Sequence, residues 1–229
     1  LAAALLLAAC GGGGSGTADT TPRLSISSVK VFGDSIQDSG TFGYKFTVQT
    51  PDNLIYAERI AANYGQTLCN FFVFTGTTFA PNSKAGCTNF AIGGGRITYT
   101  GAGGAANPLN IGTQMATYAS MASFAASDLV IIDGGGNDAA DLVGAYLKAP
   151  FDKAASYSGL LATLLQPAQI GAALQGGAAT TGAIGLDYMK ALAGKFYGQI
   201  KTSVLDKGAT HVVLLNMPGI TNTPRFQMV

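Results

Sequence analysis

Three apolar runs, each closed by a polar or glycine-rich turn, constrain this chain more than any other feature. "VKVFGD" (29–34), "DLVIID" (128–133) and "HVVLLN" (211–216) read as strands. The second is apolar almost throughout, as expected of a strand in a sheet covered on both faces. Between them lie stretches with helical spacing. Residues 54–64 place Ala57, Ile60, Ala61 and Tyr64 on one face and stop at Gly65. Residues 112–127 align Met115, Tyr118, Ala119 and Ala122, and residues 154–166 align Tyr157, Leu160, Leu161, Leu164 and Leu165, with Pro167 ending the run. The Gly/Ala-rich segment 167–186 reads as an irregular excursion. A last helix carries Met189, Leu192, Phe196, Ile200 and Val204 to the "KG" at 207–208. Strands alternating with helices predict an α/β fold, a three-layer α/β/α sandwich around a mostly parallel sheet.

The N-terminus is of another kind. Residues 1–9, "LAAALLLAA", are wholly apolar and end at Cys10; "GGGGSGTADTTP" follows. The apolar stretch is too short to span a bilayer and reads as part of an export signal. "LLAAC" resembles a bacterial lipobox, in which the cysteine is acylated; the bland alternative is a plain secretory signal. The expectation is a partial lipoprotein signal over 1–10, a flexible linker over 11–25 and one domain over 26–229. The chain as given would begin inside the signal, in a protein of the bacterial envelope, lipid-anchored or secreted. With Cys10 acylated, Cys69 and Cys87 remain. In an oxidising compartment they can pair, for about 3 kcal/mol by loop-closure entropy; otherwise they are two separate thiols.

Charged residues make up 11% of the chain and the formal net charge is +1. No basic stripe points to nucleic acid, and one histidine with two free cysteines supplies no metal-ligand cluster. "GAGGAA" (101–106) matches a dinucleotide-binding pattern in letters alone, because Asn107-Pro108 interrupts the helix that should start there. No cofactor and no protein partner are implied.

In open α/β sheets, ligands collect beyond the carboxyl ends of the strands. Here those ends carry "GDS" after the first run, "GGGND" (134–138) after the second and "NMPG" (216–219) after the third, with a further glycine cluster in "NFAIGGGR" (89–96). A serine beside such turns can attack a carbonyl while N–H groups hold the oxyanion. "VFGDSIQDSG", "NFAIGGGR" and "GGND", in that order, resemble the blocks of the GDSL, or SGNH, hydrolases, a family of lipases, esterases and related acyl hydrolases. "NMPGITNTP" is similar to the family's N-x-P stretch, so the resemblance spans about residues 29–224. It implies a flavodoxin-like fold and an ester substrate hydrolysed through an acyl-enzyme. Ser35 would be the nucleophile and its own N–H an oxyanion donor. A glycine of 93–95 would be the second donor, with Gly94 the better match, and the Asn137 amide the third. Asp34, Asp38 and Asp138 read as turn-shaping residues.

The family's last block, an Asp and a His three residues apart, is absent from 1–229. His211 opens a strand and lies before the N-x-P stretch, so it reads as structural. The Asp–His pair is expected beyond Val229, and without its base the segment should turn over little, since losing a triad base costs ~10⁶ in turnover. The alternative is an envelope lipoprotein that keeps the hydrolase scaffold as a binding module. Phe71, Phe72, Phe74 and Phe79 read as core packing or, alternatively, an acyl-chain pocket.

Overall fold

The computed structural model describes residues 24–50, 52–217 and 219. Cys10, most of the linker and most of "NMPGITNTP" lie outside them. Among the described residues the chain is mixed α/β, with a three-stranded parallel sheet and six α-helices.

Strand β1 (Ser28–Phe32) lies beside β4 (Asp128–Ile132), and β4 lies beside β5 (His211–Leu214); both pairs are parallel. An extended stretch continues the sheet on the free side of β1. The Val31 N–H donates to the Thr88 carbonyl, the Phe90 N–H to Val31 and the Ile92 N–H to Gly33. Four segments thus run side by side, and their carboxyl ends share one rim. Away from this sheet, β2 (Phe72–Phe74) and β3 (Phe79–Pro81) form an antiparallel hairpin.

The period of two along a strand explains the two cores. Val29, Val31, Leu129 and Ile131 face one way, onto Ile55 and onto Ala57 and Ala61 of α1 (Tyr56–Asn63). Phe32, Val130 and Ile132 face the other way, into a larger core. There they meet Ile111, Met115 and Tyr118 of α2 (Ile111–Met121), Leu142 of α3 (Gly136–Asp152) and Leu192, Phe196 and Ile200 of α6 (Ala178–Ser203). Helices therefore cover both faces, as the apolar run at 128–133 requires.

Two expectations are corrected. Segment 167–186 is helical: α5 (Pro167–Gln175) fills its first half and α6 begins at Ala178. Its alanines are the strongest helix formers, and that outweighs the scattered glycines. Pro167 does not end the preceding helix. α4 (Ala155–Leu161) has already stopped, and Pro167 takes the first turn of α5, where its missing N–H costs nothing. Helix α3 was not expected at all; it starts within "GGGND".

Cys69 and Cys87 are joined in a disulfide. Beside it, Asn70 bridges Asn89 and the Asn89 N–H donates to the Cys69 carbonyl at 3.1 Å. No helix among the described residues is long and apolar enough to cross a membrane.

Candidate functional site

The rim brings together three turns from distant parts of the chain. The Gly33–Ser35 turn follows β1, the 93–95 bend follows the stretch beside it, and Gly134–Asn137 follows β4. The first two touch: a Cβ built on Gly95 would fall 2.7 Å from the Gly33 carbonyl oxygen and 3.3 Å from the Asp34 Cα. Asn137, in the first turn of α3, links both. Its Nδ2 donates to the Gly95 carbonyl at 2.9 Å and, over a longer 3.3 Å, to Asp34 Oδ2. The α3 N-terminus, with its partial positive charge, therefore faces the rim.

The backbone donors of the two turns differ in what they already hold. Gly93 gives its N–H to Asp38 Oδ2 at 2.7 Å, and Gly95 gives its own to the Ile92 carbonyl at 2.9 Å. The Gly94 N–H has no acceptor among the described residues. Gly94 has φ +82°, which a side chain would oppose, and this conformation leaves its N–H out of the bend's own hydrogen bonds. In the other turn, Asp34 donates to Asp133 Oδ1 and Ile36 to Asp34 Oδ1. The Ser35 N–H and hydroxyl make no bond among the described residues, and Ser35 is half-buried.

The three carboxylates that sequence reading assigned to turns do more than shape their own loops. Asp38 accepts the N–H groups of Gly40 and Thr41, both at 2.8 Å, besides that of Gly93. Asp138 accepts those of Ile97 and Thr98, both at 2.9 Å, and so fastens α3 to the chain leaving the 93–95 bend. Burial raises the pKa of Asp34, Asp38 and Asp138 above the ordinary carboxylate value, against the opposing pull of those N–H donors.

Three positioning residues escaped sequence reading. Gln114 of α2, wholly buried, accepts the Gly33 N–H at 2.8 Å and donates to the Gly33 carbonyl at 3.0 Å. Asn89 donates to the Gln37 carbonyl at 2.7 Å and to Ser39 Oγ at 2.9 Å. Asp133 lies beneath the Ser35 turn; burial first, and then the nearby charge of Asp34, push its pKa well above the usual carboxylate range. Its Oδ2 is buried without a hydrogen-bond partner among the described residues. Asp34 and Asp133 border a cavity of about 60 Å³ also lined by Gly134, Gly136, Leu215 and Met217.

His211 is at the wrong end of the sheet. It pairs with Leu129, three positions below the Phe32–Ile132 pair that leads to the rim, a separation of about 10 Å along the strand alone. The Phe71–Phe79 cluster divides. Phe72 is buried, Phe71 (stacked on Phe90 at 4.3 Å) and Phe79 are half-buried against the same core, and Phe74 is exposed.

Two N–H groups without an acceptor among the described residues, those of Ser35 and Gly94, thus lie in adjoining turns together with a serine hydroxyl. No family model matches this chain, and no curated protein matches it.

Proposed function

We propose that this chain carries the nucleophile and oxyanion cradle of a serine ester hydrolase of the GDSL, or SGNH, type. The observation that carries the reading is the pair of uncommitted N–H groups, Ser35 and Gly94, in two turns that touch and are bridged by the Asn137 amide. In this reading Ser35 Oγ attacks the ester carbonyl and gives its proton to a base. The carbonyl oxygen becomes an oxyanion held by the Ser35 and Gly94 N–H groups. Asn137 joins them by turning the hydrogen of its long contact with Asp34 toward that oxygen. Collapse expels the alcohol, which takes up the proton, and water then hydrolyses the acyl-enzyme. Each such donor is worth ~2.7–4 kcal/mol in the transition state. The base is an Asp-x-x-His pair C-terminal to Val229, and Cys10 carries a lipid that holds the enzyme at the bacterial envelope.

A second reading, a binding module on the same scaffold, is favoured by one observation: the single histidine of 1–229 sits at the far end of the sheet. Turnover of p-nitrophenyl butyrate by the full-length protein separates the two. The hydrolase reading expects Ser35→Ala to abolish it; equal rates in both proteins overturn that reading.

A further inference from the structure

Five aromatic rings form one patch beside the Ser35 rim. Phe42 is at its centre, with ring centroids 5.2 Å from Phe74, 5.8 Å from Phe79, 6.0 Å from Phe46 and 6.2 Å from Tyr44. Phe42 and Phe79 are half-buried with their backs against the main core, and three rings face outward: Tyr44 is 55% exposed, Phe46 43% and Phe74 36%. An apolar surface of this kind marks a place of interaction, since aromatic rings left in water lose their largest contribution to stability.

Its position says with what. The Phe46 ring lies against Gly93, where a Cβ would fall 2.2 Å from its Cε2. Gly93 adjoins Gly94, whose N–H is uncommitted. Asp38 holds Gly93 and Thr41 together, and the Phe74 N–H donates to the Thr41 carbonyl at 2.9 Å. The loop bearing Phe42, Tyr44 and Phe46 is thus fastened to the hairpin on one side and to the bend on the other. A group held at Gly94 has a wall of rings next to it.

We infer that this aromatic shelf binds the acyl part of the substrate, and that the site takes esters of medium-length alkyl acids in preference to acetates. The inference rests on the ester-hydrolase reading. Alkyl groups are the favoured occupant because the exposed face is made of ring surface, with the Tyr44 hydroxyl its one side-chain polar group. Contact with ring faces gains free energy with each methylene covered.

The test compares p-nitrophenyl octanoate with p-nitrophenyl acetate on the full-length protein. Tyr44→Ser combined with Phe74→Ser should lower the octanoate-to-acetate ratio of kcat/KM about tenfold. Phe151→Ser, at an 89% exposed ring of α3, is the matched control and should leave the ratio unchanged. An unchanged ratio in the double variant overturns the shelf, and so does a loss confined to binding of phosphatidylglycerol vesicles, which would assign the rings to a lipid surface. Absence of Ser35-dependent turnover counts against the hydrolase reading alone. The shelf is then judged by calorimetric titration of the Ser35→Ala protein with octanoate. Saturable binding weakened about tenfold by the double variant supports it, and equal or absent binding overturns it.

Discussion

Asp38 Oδ2 accepts the backbone N–H of Gly93 at 2.7 Å, across 55 positions of chain, and so ties the loop after Ser35 to the bend that carries Gly94. The same carboxylate holds Gly40 and Thr41. Asp38→Ala strands three N–H groups, at about 1–3 kcal/mol for each one that stays buried. The expected loss is about 3–5 kcal/mol in a urea titration. Asp38→Asn keeps one oxygen and turns an NH2 toward a donor, so it should cost less, about 1–3 kcal/mol.

Asn137 bridges two turns and, on the hydrolase reading, supplies an oxyanion donor, so its loss should separate stability from chemistry. Asn137→Ala removes contacts to Gly95 and Asp34, at about 1 kcal/mol in thermal unfolding. In the full-length protein, kcat on p-nitrophenyl butyrate should fall about 10²–10³-fold. A fall in kcat no larger than the stability loss explains would remove Asn137 from the oxyanion cradle.

The strands and the three turns could be read from the chain because their signals are local. A buried parallel strand is a short apolar run, and a rim turn is a cluster of Gly, Asn, Asp and Ser following it. The positioning residues had no such signal. Gln114 is one polar residue in a helix, and its partner Gly33 is 81 positions away. Asp133 looked like the end of an apolar strand, yet it receives the N–H of Asp34, 99 positions away. Helix α3 was hidden by its own start, because "GGGND" reads as turn chemistry and Pro150 falls inside the helix. Segment 167–186 was misjudged because small residues weaken the apolar period even where their propensity is helical.

Asp133, like Asp34, Asp38 and Asp138, makes stability fall as pH rises, the reverse of an ion-paired carboxylate. Its pKa is raised in the folded state by burial and by Asp34. The native protein therefore holds a proton that the unfolded chain releases near pH 3.9. The stabilisation is complete below that pH and fades as pH rises through the native value, by about 1.4 kcal/mol per pH unit for one proton. Asp133→Asn, which keeps an oxygen for the Asp34 N–H, should remove Asp133's share of this slope and leave that of Asp38 and Asp138. Melting temperatures across pH 4–8 should show the variant above the parent at pH 8 and close to it at pH 4.

The Cys69–Cys87 disulfide closes a loop with a sequence separation of 18 and fastens the chain leading to the 93–95 bend. Reduction should lower stability by about 3 kcal/mol. Urea midpoints with and without dithiothreitol measure it, and Cys69→Ala with Cys87→Ala should reproduce the reduced value.

The cradle is divided along the chain. Ser35 and Gly94 precede α2, Asn137 follows β4, and the β1–β4 ladder holds the two parts in register. On the hydrolase reading, a cut between residues 100 and 110 would leave Ser35 and Gly94 on one piece and Asn137 on the other, so that neither piece holds all three donors. Mixed together, the pieces would reunite the three only by rebuilding the β1–β4 pairing edge to edge, and on that reading a colour-yielding ester would report the meeting of whatever proteins were fused to them.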